Sequence, residues 1–276
     1  MSLKGKTAIV TGGAMGIGLA TCKRLVSERC IVTIWDINEN EIKKAKEILE
    51  YLGGKVFAYI CDVSDSARVS HLVEQAIIDM GKIDILVNNA GYVKSGSLLE
   101  QPIEAWERTI DVNLTSLIYT IYAVLPDMYQ RNSGHIVNIS SAAGLIGVSG
   151  MSVYAATKWA VFGLTESLRF ESITKGKNGV RWTSIHPSYL AHGMFEGAKL
   201  NSLGNLIIPL VKDHDVIAKA IVTDALIKGK NVVRRPCTLR LSIMLRGILP
   251  DFLFQKMLVM MGVHKSMNEF RGRERE

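Results

Sequence analysis

Two periodicities alternate along the chain. Short runs in which nearly every position is apolar stand at "TAIVT" (7–11), "IVTIWD" (31–36), "KVFAYICD" (55–62), "IDILVNN" (83–89), "HIVNIS" (135–140) and "VRWTSI" (180–185). Between them, apolar residues recur every three or four positions, which predicts helices near 16–29, 39–52, 66–80, 102–131, 152–174 and 213–228. A strand that is apolar on both faces must be covered on both, so the pattern predicts a parallel sheet between two layers of helices. That is a single doubly wound α/β domain, with no linker to split it. A weaker strand, "NVVRR" (231–235), completes a domain of residues 1–235, and a C-terminal extension, 236–276, follows.

At 276 residues and 48% apolar, the chain can build a large core without disulfides or metals. Cys22, Cys30, Cys61 and Cys237 form neither a C-x-x-C pair nor a zinc spacing, the histidines show no ligand spacing, and no metal site is expected. The thiols read as small hydrophobes of a reducing compartment. The N-terminus enters a strand within a few residues, and no run approaches the roughly 18 apolar residues of a membrane span. A cytoplasmic protein is expected. Its net charge of +7 lies entirely beyond residue 227, where eleven Lys and Arg face four Asp and Glu. The body is neutral, with 22 charges of each sign, so nucleic acid is not an expected partner.

The first strand runs straight into "TGGAMGIG" and then a helix. Glycines at a strand-to-helix turn let a diphosphate approach the helix N-terminus, where free N–H groups and the helix dipole favour negative charge. Gly12, Met15, Gly16, Ile17 and Gly18 are therefore cofactor-binding candidates, although G-x-x-x-G-x-G is not the common G-x-G-x-x-G fingerprint. Asp36 ends the second strand. A carboxylate there accepts from adenosine ribose hydroxyls and repels a 2′-phosphate, while Asn38 and Glu41 supply the cap of the next helix. Neither Met15 nor Ile37 offers a cation to a 2′-phosphate, so NAD is expected in preference to NADP.

Tyr154 and Lys158 lie four apart in a predicted helix, hence on one face. A free phenol has a pKa of about 10, and lowering it to about 7 takes on the order of 4 kcal/mol. A neighbouring ammonium and an oxidised nicotinamide in a partly dry cleft are expected to supply it. "TGGAMGIG", "CDV" (61–63), "NNAG" (88–91), "DVNL" (111–114), "NISS" (138–141) and Y-x-x-x-K (154–158) occur in one order over about residues 5–235. This series resembles the classical short-chain dehydrogenases/reductases. The resemblance implies a Rossmann-like fold, nicotinamide-dependent hydride transfer and a homodimer or homotetramer. It makes Tyr154 the catalytic acid/base, Lys158 its partner, Ser141 the substrate-positioning hydroxyl and Asn113 the fourth member of the group. Asp62 and Val63 correspond to adenine contacts, and Asn89, Ala90 and Gly91 to the wall beside the adenosine ribose.

The match departs from the family at "HPSYLAHGMF" (186–195). Pro187 and Leu190 remain cofactor-contact candidates, and His192 stands where the family has the threonine that anchors the nicotinamide carboxamide. The other histidines read as structural or surface residues. The next segment, 194–210, is mostly apolar and reads as a lid for a lipophilic alcohol or ketone. In the extension, Pro250 separates two helical pieces that mix Leu, Ile, Phe and Met with Arg240, Arg246, Lys256 and Lys265. These pieces are expected to cover the cleft or a subunit interface, with peripheral contact to an anionic membrane as the alternative. The expected activity is NAD-dependent interconversion of a hydrophobic secondary alcohol and its ketone. The alternatives are a 3-oxoacyl thioester reductase and a non-catalytic nucleotide-sensing scaffold.

Overall fold

Each apolar run becomes a strand of one parallel sheet in the computed structural model, which describes residues 2–272. The strands are β1 (Thr7–Thr11), β2 (Ile31–Asp36), β3 (Lys55–Ile60), β4 (Ile85–Asn88), β5 (Gly134–Ile139), β6 (Val180–Pro187) and β7 (Val232–Arg235), in the order β3-β2-β1-β4-β5-β6-β7. Helices α1 (Gly16–Ser27), α2 (Glu39–Tyr51), α3 (Ser66–Met80), α4 (Ile103–Ile110), α5 (Ser116–Arg131), α6 (Ser152–Thr174), α7 (Ser202–Ile207) and α8 (His214–Lys219) follow in chain order. Two more, α9 (Leu239–Ile248) and α10 (Asp251–Met260), flank Pro250. Met1 and residues 273–276, the outer ends of the expected domain and extension, lie outside the described residues.

Alternation along the strands divides the interior into two layers. Ala8 and Val10 of β1 face a core shared with Leu25, Leu49 and Ile221, whereas Ile9 faces Leu72, Ile121 and Trp182 on the other side. Asn38 caps α2 by accepting from the Glu41 amide at 3.1 Å, and Asp65 caps α3 through Arg68 at 3.0 Å. The helix expected over 102–131 is not continuous. Between α4 and α5 it widens at Asp111–Thr115, where the Ser116 amide reaches back five residues to the Asp111 carbonyl. This bulge turns the Asn113 side chain inward to bind the backbone of Tyr92, a contact that a regular helix need not make.

A buried polar chain ties the C-terminal ends of the central strands to the helices. Asn88 donates to Asn138 at 2.9 Å, Asn138 donates to Thr165 at 2.9 Å, and Thr120 donates to Asn88 at 2.7 Å. The extension belongs to the same body. Leu239, Phe254, Met261 and Val263 share a core with Leu145, Leu200 and Ile208.

Two buried histidines contribute acid sensitivity to the fold. Burial pulls His135 down to about 3 and His186 to about 4. Between those values and about 6.5 the unfolded chain takes up protons that the native protein does not, so stability rises with pH through this window and falls on acidification. Urea unfolding should lose up to about 1.4 kcal/mol per pH unit per histidine there. His135→Gln should flatten the slope by about one proton. A parallel profile for the variant would show that His135 is not buried in its neutral form.

Candidate active site

Strand order places a crevice where β1 and β4 lie side by side, because the chain leaves β1 toward one face of the sheet and β4 toward the other. A cavity of about 1060 Å³ runs through it, from Asp36 at one end to Tyr154 and the lid at the other. Gly12 bends the loop with φ of +60°, and a Cβ on Gly18 would stand 2.0 Å from the Gly12 carbonyl oxygen. Only glycine lets α1 begin this close to β1. Asn89 fastens the turn by donating to the Thr11 and Gly12 carbonyls, both at 3.0 Å. Met15 at the N-cap of α1 offers no side-chain cap, and with Gly16 and Ile17 of the first turn it lines the cavity, where the helix dipole favours an anion.

Asp36 is held by three backbone amides: Ile37 at 2.8 Å, Asn38 at 3.2 Å and Ala14 at 3.2 Å. A carboxylate has about four acceptor sites, so roughly one remains for a ligand where the sequence suggested two. Asp62 also lines the cavity. Partial burial pushes its carboxyl up, but hydrogen bonds from Ser64 and the Arg108 guanidinium hold it below the usual range.

At the far end Tyr154 and Lys158 are both 4% exposed. Burial drives the phenol well above its ordinary range, and the neighbouring Ser141 hydroxyl draws it part of the way back. Burial also lowers the Lys158 ammonium to about 8. Its Nζ donates to the Ile139 carbonyl at 3.0 Å and lies 5.6 Å from the centre of the Tyr154 ring. In the protein alone, then, burial dominates the phenol; the lowering expected from the ammonium and an oxidised nicotinamide together concerns the occupied site. Ser140 donates to the Lys158 carbonyl at 2.8 Å, which fixes it against α6. Ser141 is set by its neighbours: the Ala143 amide donates to its hydroxyl at 3.1 Å, and its carbonyl lies 3.2 Å from Nδ1 of His186. A carbonyl can only accept, so neutral His186 carries its proton on Nδ1.

Of the residues singled out from sequence, Gly12, Met15, Gly16, Ile17, Asp36, Asp62, Val63, Asn89, Ala90, Gly91, Ser141, Tyr154, Lys158, Pro187 and Leu190 line this one cavity. Three others stand elsewhere. Gly18 packs behind the loop. Asn113 is fully buried, its amide exchanging 2.8 Å hydrogen bonds with both backbone groups of Tyr92. His192 is exposed and absent from the wall. After it the chain turns at Gly193, with φ of +80°, and His214 fills the adjoining space; a Cβ on Gly193 would lie 3.2 Å from its Nε2. His214, read from sequence as structural, therefore lines the cavity, as do Arg108 and Tyr189. No local spacing links Arg108 to Asp62 across 46 residues, so sequence carried no signal for that pair.

The roof is apolar. Phe195 sets its edge against Tyr154 at 5.5 Å, and Phe270 from the extension packs on Phe195 at 6.5 Å. Leu200, Ile208, Leu239, Val263 and Met267 complete it. Main-chain bonds join the lid to the extension, from the Lys199 amide to Ser266 at 3.0 Å and from the Arg271 amide to Glu196 at 2.9 Å. The two expected helical pieces thus form, and the extension lines the cleft through Leu239 at the start of α9 and through Val263, Met267 and Arg271 after α10.

A doubly wound sheet, a glycine-lined anion site and a buried Tyr–Lys pair at one crevice define a nucleotide-dependent oxidoreductase. A family model described as short chain dehydrogenase matches residues 6–201, and the chain belongs to that family, whose members act on CH–OH groups. It is similar to short-chain dehydrogenase/reductase family 16C member 6 of Bos taurus, 32% identical over 98% of this chain and 85% of the relative. It is 31% identical to epidermal retinol dehydrogenase 2 of Mus musculus over 90% of this chain and 80% of that protein. Among solved structures, an NAD+-bound xylitol dehydrogenase superposes with a TM-score of 0.75 at 28% identity, covering 85% of this chain and 99% of the other.

Asn113→Leu should leave both Tyr92 backbone groups without their partner and cost about 2 kcal/mol or more in urea unfolding. An unchanged midpoint would show that the bulge does not depend on this side chain.

Proposed function

We propose that the protein is an NAD-dependent oxidoreductase that interconverts a lipophilic secondary alcohol and its ketone, with Tyr154, Lys158 and Ser141 as its catalytic residues. The observation that carries this reading is a single cavity with a glycine cradle at one end and a buried phenol under an apolar roof at the other. The cradle fits a dinucleotide, since a Cβ at Gly18 would meet the Gly12 carbonyl and Asp36 ends the neighbouring strand β2 along the same cavity. Gly12, Met15, Gly16, Ile17 and the first turn of α1 would hold the diphosphate, Asp36 a ribose hydroxyl, Asp62 and Val63 the adenine, and Pro187 and Leu190 the nicotinamide side. NAD, when bound, exchanges a hydride with the carbinol carbon.

The chain's own groups manage the proton. Ser141 donates to the substrate oxygen and Tyr154 Oη takes the hydroxyl proton during oxidation, returning it during reduction. Lys158 stabilises the phenolate, and Phe195 keeps water from it. Asn113 serves this group as a positioning residue by holding the turn at Gly91 and Tyr92. Asp36 disfavours a 2′-phosphate and with it a thioester reductase using NADPH. The buried catalytic group disfavours a mere scaffold.

The apolar roof and the relatives named retinol dehydrogenases support a long lipophilic substrate. Because retinol is a primary alcohol, these names also favour a second reading, oxidation to an aldehyde by the same residues. We place residues 1–235 as the catalytic domain and 236–276 as an extension that closes its cleft. The four unpaired thiols suit the cytoplasmic compartment, and a lipophilic substrate suits a membrane surface within it. No helix among the described residues is long and apolar enough to cross a membrane. Exposed Tyr122 on α5 and Phe170 on α6 give a second copy apolar surface to bury in a homo-oligomer.

Tyr154→Phe should retain NAD affinity while turnover falls by about 10² to 10⁴. Turnover at the wild-type rate would refute the proton-carrier role. Asp36→Ala should weaken NAD binding by about tenfold, the equivalent of one charge-assisted hydrogen bond, and narrow the preference over NADP. Fluorescence titration of NADH and NADPH checks both effects. A wild-type protein with tighter NADPH binding would contradict the cofactor assignment.

A further inference from the structure

Helices α9 and α10 each have a second apolar face, turned away from the cleft. On α9, Met244 and Ile248 stand one turn apart and exposed; on α10, Phe252 and Val259 stand exposed two turns apart, with Met260 beside Val259. Leu206 at the end of α7 is 80% exposed, and Ile248 and Phe252 are 68% and 59% exposed. The opposite sides of these elements hold Leu239, Phe254 and Met261 in the core that roofs the cavity. The core packed behind the exposed face is thus the one whose Leu239, Leu200 and Ile208 line the cavity.

Cations border this face. Arg240, Lys256 and Lys265 are exposed, and the described extension carries only Asp251 and Glu269 against them and Arg246 and Arg271. Lys256 lies on the apolar stripe itself, its Nζ 5.8 Å from the centre of the Phe252 ring, as a long basic chain does when its stem covers apolar surface and its head seeks anions. Arg246 is committed inward, to the Leu145 carbonyl and the Trp159 ring. An isologous contact between two copies would bring these cations against their own images with few acids to offset them. An anionic lipid surface offers apolar depth to the side chains and phosphates to the border.

We propose that the exposed face of α7, α9 and α10 docks the protein on an anionic bilayer, with the roof of the cleft against the lipid from which the substrate comes. This rests on the lipophilic-substrate reading above and names where that substrate is collected. The layer between lipid and cavity is the lid and the extension, which are joined by the Lys199–Glu269 ion pair at 2.6 Å as well as by main-chain bonds.

Co-sedimentation with phosphatidylcholine vesicles, with and without phosphatidylserine, tests the face. The variant Ile248→Glu/Phe252→Glu/Met260→Glu should lose binding to phosphatidylserine vesicles by on the order of tenfold or more. Arg240→Gln/Lys256→Gln/Lys265→Gln should bind both vesicle types at the wild-type level for phosphatidylcholine alone. Both variants should oxidise a short water-soluble secondary alcohol with NAD at the wild-type rate, since none of the six residues lines the cavity. Wild-type protein that stays in the supernatant, or a glutamate variant that sediments like wild type, would overturn the proposal. So would a glutamate variant whose only change is loss of a subunit by mass, which would assign the face to a second copy. Vesicle binding without turnover of any alcohol would instead overturn the reading of the active site and leave the docking face standing.

Discussion

An ammonium and a phenol removed together from water constrain everything around them. An unpaired buried charge costs several kcal/mol, so Lys158 survives at 4% exposure only because the Ile139 carbonyl accepts from it and its own proton is loosened to about 8. That carbonyl lies at the end of β5, whose place beside β4 is secured by the Asn88–Asn138 bond. The same burial that lowers the ammonium raises the phenol. The pair thus resists ionising Tyr154 until more positive charge arrives, and the oxidised nicotinamide is the charge that NAD would supply there.

Burial of this pair depends in turn on the chain's last third. Phe195 shields Tyr154 from one side, and Phe270, Met267 and Val263 from beyond residue 235 complete the enclosure. Lid and extension share main-chain hydrogen bonds, so they form one cover rather than two independent loops. A cover with one apolar side toward the substrate space and another toward solvent links the chemistry to whatever the outer side meets.

The sheet and its flanking helices were legible because burial on two faces leaves an unmistakable apolar run, and strand order follows from the way such units wind. The Tyr154–Lys158 pair and the glycine turn were legible as local spacings on a helix and at a strand end. What escaped was settled by contacts across the chain. Arg108 meets Asp62 through folding alone. His192 replaces the family's threonine, and the turn at Gly193 leaves it in solvent and sets His214 beside the cavity. Asn113 matched a family position, and what spacing could not show is that the widened turn at Asp111–Thr115 commits its amide to Tyr92. Spacing predicts which face of an element a residue shares, and not which neighbour will claim its hydrogen bonds.

The coupling between the buried ammonium and the phenol can be read directly from single-turnover NADH formation measured against pH at saturating NAD, for the wild type and for Lys158→Met. The wild-type rate should climb with pH through an inflection well below the ordinary tyrosine value of about 10, and the variant's inflection should move up by about one unit or more. Identical inflections in the two proteins, or a rate independent of pH in the wild type, would contradict a proton carrier whose acidity is set by its buried neighbour.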